Sequence, residues 1–169
     1  MITCYSNNKF FESGIFVMKS WLIEKYHDKK IILLDMNLSS VKTTLSYVDG
    51  RREHKAIDKC VIFCSDHSLL PLANYLSKNE YPDLSVMTYK KYKWLDKNHQ
   101  SNVGIVNKPV IQGGIFTRSE YELFVSIIYA EYMKQYIMRK NISPKTYYCI
   151  RNIIAKKMGL TRNELFLIK

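Results

Sequence analysis

Two uninterrupted apolar runs constrain this chain more than any other feature: Lys30-Ile-Ile-Leu-Leu-Asp35 and Lys59-Cys-Val-Ile-Phe-Cys-Ser65. A strand with one wet face alternates apolar and polar residues, whereas a strand covered on both faces is apolar throughout, as in a parallel sheet flanked by helices. Each run ends in a polar residue and is bracketed by helical periodicity. Phe11, Ile15, Met18 and Leu22 share one face of a helix over Phe10 to Tyr26, which follows a β-like run from Ile2 to Tyr5 and the capping residues Ser6-Asn7-Asn8. Further helices are expected over Leu38 to Tyr47 and Ser68 to Ser77, and a weaker strand over Leu84 to Thr88. Strands alternating with helices read as an α/β domain with a parallel sheet, here residues 1–98.

Beyond that point the pattern changes. Residues 99–114 lose periodicity and carry Gly104, Pro109, Gly113 and Gly114, the composition of a linker. Residues 115–169 then read as purely helical. Thr117 and Glu120 form a capping box ahead of a helix to about Tyr129, and a second helix covers Tyr132 to Lys140. Ser143 followed by Pro144 starts a third, because Ser caps free amides and Pro has no amide to lose; Gly159 stops it after Met158. A short helix from Arg162 to Ile168 completes an all-α, four-helix C-terminal domain.

Charge narrows the partners. The chain carries 26 basic and 15 acidic residues, a net +11, which attracts phosphate or an anionic surface. Ten basic against four acidic residues lie in 115–169, so the excess is concentrated in the last third. The N-terminus lacks the pattern of a signal peptide, and no run approaches the roughly 20 apolar residues of a membrane span, so a soluble protein with no membrane role is expected. Cys4, Cys60, Cys64 and Cys149 do not form a secreted disulfide framework, and a reducing cytoplasm fits better. Cys60 and Cys64, four apart on a strand, read as core thiols. His27, His54, His67 and His99 have no partner at helical spacing, so neither a metal site nor a cofactor is expected. Asp66-His67 follows a strand, yet no nucleophile elbow or glycine-rich phosphate loop accompanies it, and the chain does not read as an enzyme. In Tyr89-Lys-Lys-Tyr-Lys-Trp94 aromatics alternate with cations, which suits either stacking on single-stranded nucleic acid or a wet domain edge.

The block Asn141 to Gly159 carries the sharpest functional signal. Two short helices joined by a few residues, the second basic and capped, is the geometry that lets a helix enter a major groove. On the second, Tyr147, Ile150, Ile154 and Met158 line one face, and Lys145, Tyr148, Cys149, Arg151, Asn152 and Lys156 occupy the rest. The same periodicity also describes an ordinary solvated amphipathic helix.

Phe116-Thr-Arg-Ser-Glu120, Lys134-Gln-Tyr-Ile137, Ile142-Ser-Pro-Lys-Thr146, Arg151-Asn-Ile-Ile154, Lys157-Met-Gly-Leu160 and Arg162-Asn-Glu-Leu165 together resemble, in order and spacing, the LuxR-type (NarL/FixJ) helix-turn-helix. Departures are Ala130 where that family usually has Gly, Ile137 where it has Ala, Tyr147 where it has Val and Ile150 where it often has His. The resemblance implies that Tyr148, Cys149 and Asn152 face bases and that Lys145, Thr146, Arg151 and Lys156 suit phosphates. It also implies pairing on two half-sites, as a homodimer or with another regulator.

The first domain resembles a shortened response-regulator receiver. Asp35 in Leu-Leu-Asp-Met-Asn stands where that family has its phosphoacceptor, and Ser65 and Lys90 fall near its hydroxyl and lysine positions. Ser6 and Asn7 replace the acidic pair, however, and Mg²⁺ needs carboxylates to be held against a phosphoryl group. Only about ten residues separate the first helix from the Asp35 strand, too few for a further strand and helix. This acid-poor, truncated layout, with the segments Lys29-Lys-Ile-Ile-Leu-Leu-Asp-Met-Asn37 and Leu69-Leu-Pro-Leu-Ala-Asn-Tyr75, is similar over about residues 30–80 to enterobacterial LuxR-type regulators of fimbriae and the Vi capsule, which implies control of surface-structure or virulence genes. The expected protein is therefore a cytoplasmic transcription regulator that binds double-stranded DNA without conventional phosphorylation. Two other readings stay open: an adaptor whose C-terminal helices bind another regulator, and a regulator switched by phosphorylation of Asp35.

Overall fold

Both apolar runs become the central strands of a four-stranded parallel sheet in a computed structural model that describes residues 2–26, 30–50, 59–64, 66–81, 84–88 and 114–168. Of Met18, Trp21, Lys25, Tyr26, Lys59, Cys60, Phe166 and Leu167 it describes the backbone alone. Ser65, His27, His54, His99, Lys90, the Tyr89–Trp94 run and the expected linker, apart from Gly114, lie outside the described residues.

The strands are β1 (Ile2–Tyr5), β2 (Ile31–Met36), β3 (Lys59–Cys64) and β4 (Ser85–Thr88), ordered β1-β2-β3-β4. Leu33 lies opposite Cys4 on one side and Val61 on the other. Every residue of β2 is buried, as an uninterrupted apolar run requires. Helix α1 (Lys9–Tyr26) follows β1, α2 (Val41–Gly50) follows β2, and α3 (Leu70–Tyr75) lies between β3 and β4. The helix expected from Ser68 to Ser77 is really three pieces: a 3-10 turn at His67–Leu69, then α3, then a π turn at Leu76–Glu80. Helix α2 starts later than expected because Asn37 Oδ1 accepts from the Ser39 and Ser40 amides at 2.9 Å each, holding a turn before the helix.

Alternation along the strands divides the core in two. Ile31, Leu33, Val61, Phe63 and Met87 face α1, where Ile15 and Leu22 are buried and Phe11 meets Phe63 edge-on with centroids 5.7 Å apart. Ile32, Leu34, Met36, Ile62 and Cys64 face α2 and α3 on the opposite side. The three crossovers advance in the same direction across the sheet. Since α1 lies under one face and α2 and α3 under the other, the first crossover has the opposite hand to the next two. Such a mixture is uncommon, because a right-handed hand is strongly favoured.

Four more helices complete the described chain: α4 (Arg118–Ile128), α5 (Met133–Lys140), α6 (Pro144–Met158) and α7 (Glu164–Leu167). The expected bounds hold for α5 and α6 within a residue, and α7 is shorter than expected. The buried residues of these helices belong to the same apolar cluster as α2 and α3. Tyr75 stacks on Tyr121 with centroids 4.6 Å apart, the Phe116 amide donates to Pro71 O at 3.3 Å, and Ser46 and Tyr129 share a hydrogen bond of 3.0 Å. The molecule is thus of mixed α/β class, with its sheet layer and its C-terminal helices packed on one core. Among the described residues no helix is long and apolar enough to cross a membrane.

Candidate nucleic-acid interface

Local chemistry sets the α5–α6 pair. Asn141 ends α5 in the left-handed region at φ 50°, where its amide reaches Met138 O at 3.3 Å and the Ile142 amide reaches Ile137 O at 3.2 Å. Those two bonds form a Schellman stop, which an Asn tolerates better than most residues. Ser143 Oγ then accepts from the Thr146 amide at 3.1 Å and Pro144 occupies the first turn, so only three residues separate α5 from α6. Gly159, at φ 68°, stops α6 through bonds from its own amide to Lys156 O and from Leu160 to Ala155 O.

Packing then orients α6. Tyr147, Arg151, Ile154, Ala155 and Met158 are buried, at the helical spacings that make one stripe. Tyr147 meets Tyr136 of α5 edge-on at 5.8 Å, and burial pushes both phenols above their usual pKa. Lys157 Nζ bonds Glu120 Oε2 at 2.7 Å and Ile115 O at 2.8 Å, locking the end of α6 to the start of α4. Glu120 also closes the Thr117 capping box, so one buried carboxylate serves two contacts.

The opposite arc of α6 is open. Lys145, Thr146, Tyr148, Cys149 and Lys156 are exposed and Asn152 is half-buried. The Thr146 hydroxyl shares a 2.9 Å hydrogen bond with Ser143 Oγ, so it belongs to the helix cap as much as to the surface. The Asn152 side-chain amide has no hydrogen-bond partner among the described residues, and Lys145 and Lys156 make no ion pair there. Arg151 departs from expectation. The family resemblance implies a phosphate contact for it, but it stands four residues after Tyr147, on the inward stripe, and is only 6% exposed. Its guanidinium donates to Arg162 O at 2.8 Å, and burial lowers its pKa. It fastens the segment after α6, and it is not on the open arc.

Two open-arc or nearby residues escaped the sequence reading. Ile153 is 40% exposed one turn beyond Cys149, the spacing that could have revealed it. Arg162, whose carbonyl Arg151 holds, is exposed. Elsewhere on these helices the acids neutralise cations: Glu122 bridges Lys140 at 2.7 Å and Arg118 at 3.3 Å, and Glu131 takes Arg139 in a two-pronged contact. Among the described residues, Lys145, Lys156 and Arg162, on or next to α6, have no such acidic partner.

A second polar constellation lies at the C-terminal ends of β1 and β2, where the two connections leave toward opposite faces. That arrangement opens a crevice in parallel sheets. Here the crevice is stitched shut. Asp35 is fully buried, its Oδ2 accepting from Ser6 Oγ and from Asn37 Nδ2, each at 2.6 Å. The Asn7 amide reaches Ser40 Oγ at 3.0 Å and its side chain reaches Ser39 O at 3.1 Å. Asp35, the candidate phosphoacceptor of the sequence reading, thus presents no carboxylate surface and acts as a hub for two loops. Among the described residues no group of three or more His, Cys, Asp or Glu side chains could hold a metal ion. Cys64 is a buried core thiol whose pKa burial pushes up, and partial burial, with Glu12 and Asp35 nearby, raises Cys4 to about 11.

Comparison of the chain with protein-family models, with curated proteins and with solved structures finds no match.

Proposed function

We propose that this protein is a non-enzymatic transcription regulator that binds double-stranded DNA by laying α6 in the major groove, with α5, the turn and α6 acting as a helix-turn-helix of the LuxR type. The single observation that supports this most is the division of α6: its apolar stripe and Arg151 turn inward, while Lys145, Tyr148, Cys149, Asn152 and Lys156 form an arc open or partly open to solvent. An exposed helix with cations at both ends and hydrogen-bonding and apolar groups between them has the chemistry that groove binding asks for. The sheet layer acts as a receiver-like platform for a second copy or another regulator, in a cytoplasmic protein with no membrane role. Control of surface-structure or virulence genes follows from the sequence resemblance alone.

Binding of the full chain to a fluorescein-labelled mixed-sequence duplex of 40 or so base pairs, read by anisotropy over a salt series, tests the proposal. Affinity should fall steeply with salt, because each neutralised phosphate releases counterions. A Lys145→Ala/Lys156→Ala variant should bind more weakly, with a slope shallower by about two. Unaltered binding by that folded variant would place the interface elsewhere, and absence of duplex binding by the parent would leave the adaptor reading in its place.

A further inference from the structure

We infer that α6 selects A·T base pairs in the major groove, through thymine methyl groups and the N6/N7 edge of adenine, and that it has no guanine reader. The inference rests on the proposal that α6 is the base-facing helix.

Guanine is read mainly by Arg or Lys forked onto O6 and N7, cytosine by an Asp or Glu accepting from N4, adenine by Asn or Gln, and the thymine methyl by apolar contact. Helix α6 contains one arginine, Arg151, and that side chain is buried and committed to Arg162 O. The helix contains no acid. Of its four cationic residues, Lys157 is also committed, to Glu120 and Ile115 O, which leaves Lys145 and Lys156. Those two stand about 16 Å apart along the axis at 1.5 Å per residue, one near each end of the helix. With the middle of the helix over base edges, both ammonium groups lie nearer the flanking phosphates than the central bases.

Between them the open arc consists of Thr146, whose hydroxyl is shared with Ser143 Oγ in the helix cap, Tyr148 at 47% exposure, Cys149, half-buried Asn152 and Ile153 at 40%. Asn152 supplies one donor and one acceptor, matching adenine N7 and N6. Tyr148, Cys149 and Ile153 supply a ring, a thiol and a branched aliphatic chain, all suited to a methyl group; of the three only the Tyr148 hydroxyl bonds O6 or N4 strongly, and then singly, without the fork that reads guanine. The centre of the arc is therefore neutral and weakly polar, and its complement is a major-groove surface rich in thymine methyls.

Four labelled alternating duplexes decide the matter at one salt concentration: dA-dT, dG-dC, dI-dC and dA-dU. The dI-dC duplex shows the major-groove groups of G·C and a minor groove without the guanine amino group; dA-dU lacks only the methyl. Phosphate attraction is common to all four and cancels in the ratios. The full chain should bind dA-dT about tenfold or more tighter than dG-dC and dI-dC, and several-fold tighter than dA-dU. Asn152→Ala should narrow the dA-dT to dI-dC ratio. Equal binding to all four would overturn the inference while leaving duplex binding intact, and equal binding to dA-dT and dI-dC would move any preference to the minor groove and overturn it too. Binding to none would sink both this inference and the function on which it rests.

Discussion

The crevice around Asp35 and the open arc of α6 are built from similar polar residues, yet they end in opposite states. At the crevice Ser6, Asn7, Asn37 and Ser40 spend their donors and acceptors on Asp35 and on each other across two loops. On α6 the Asn152 side-chain amide and the Lys145 and Lys156 ammonium groups have no protein partner among the described residues. A polar cluster whose hydrogen bonds close internally stabilises a fold; one whose bonds stay open keeps its chemistry for a partner. Judged this way, Asp35 and its neighbours are structural in this molecule, while Lys145, Asn152 and Lys156 keep open the chemistry that the proposed DNA contact would use.

Removing the acceptor at the centre of the closed cluster should do the most damage. Asp35→Ala leaves the half-buried Ser6 hydroxyl and Asn37 side-chain amide without their shared partner, and should cost about 2 kcal/mol in urea unfolding, at roughly 1 kcal/mol per lost bond. A loss below about 0.5 kcal/mol would mean that the crevice is not closed in solution and would reopen the phosphoacceptor reading.

Helix α6 offers a sharper contrast, since it carries an inward and an outward cation five residues apart. Arg151→Met should cost about 1–2 kcal/mol of stability, by losing the bond to Arg162 O, and should leave the salt slope of DNA binding unchanged in the folded protein. Lys156→Ala should do the reverse, lowering the slope by about one with stability within about 0.5 kcal/mol of the parent. If Arg151→Met flattened the salt slope, the guanidinium would have to swing outward on DNA, and the case against a guanine reader would fail with it.

The smallest effect concerns the frame that holds α5 and α6 against α4. Ala130 ends α4 at φ 56°, with its amide on Ile127 O and the Glu131 amide on Ser126 O, the same stop that Asn141 and Gly159 provide for the next two helices. Alanine is strained there by its Cβ. Ala130→Gly should therefore raise the thermal midpoint, by an amount equivalent to about 0.5–1 kcal/mol, the relief exceeding the extra freedom that Gly has in the unfolded chain. A drop in midpoint would show that the turn is not left-handed.

Much of the frame was legible in the residues. The runs at Ile31–Leu34 and Val61–Phe63 announced buried parallel strands, and Thr117, Ser143, Pro144 and Gly159 marked helix ends to within a residue or so. These signals are local: a capping side chain bonds amides two or three residues away, and an apolar run needs only enough neighbours to cover it. The break of the Ser68 to Ser77 helix into three pieces was not legible, because its apolar spacing is satisfied by tight, regular and wide turns alike.

What only the tertiary structure decided is which polar groups face inward. By periodicity Arg151 could sit at the edge of either face of α6; the carbonyl of Arg162, eleven residues away, gives its guanidinium a partner inside. Asp35 ends a strand in a way that suits catalysis or support equally, and donors from Ser6, twenty-nine residues earlier, commit it to support. Burial of a charged group depends on whether a distant segment supplies the opposing dipole or charge, since desolvation is costly and must be offset at that spot. No periodicity within one helix or strand encodes that choice; the packing of one element on another does.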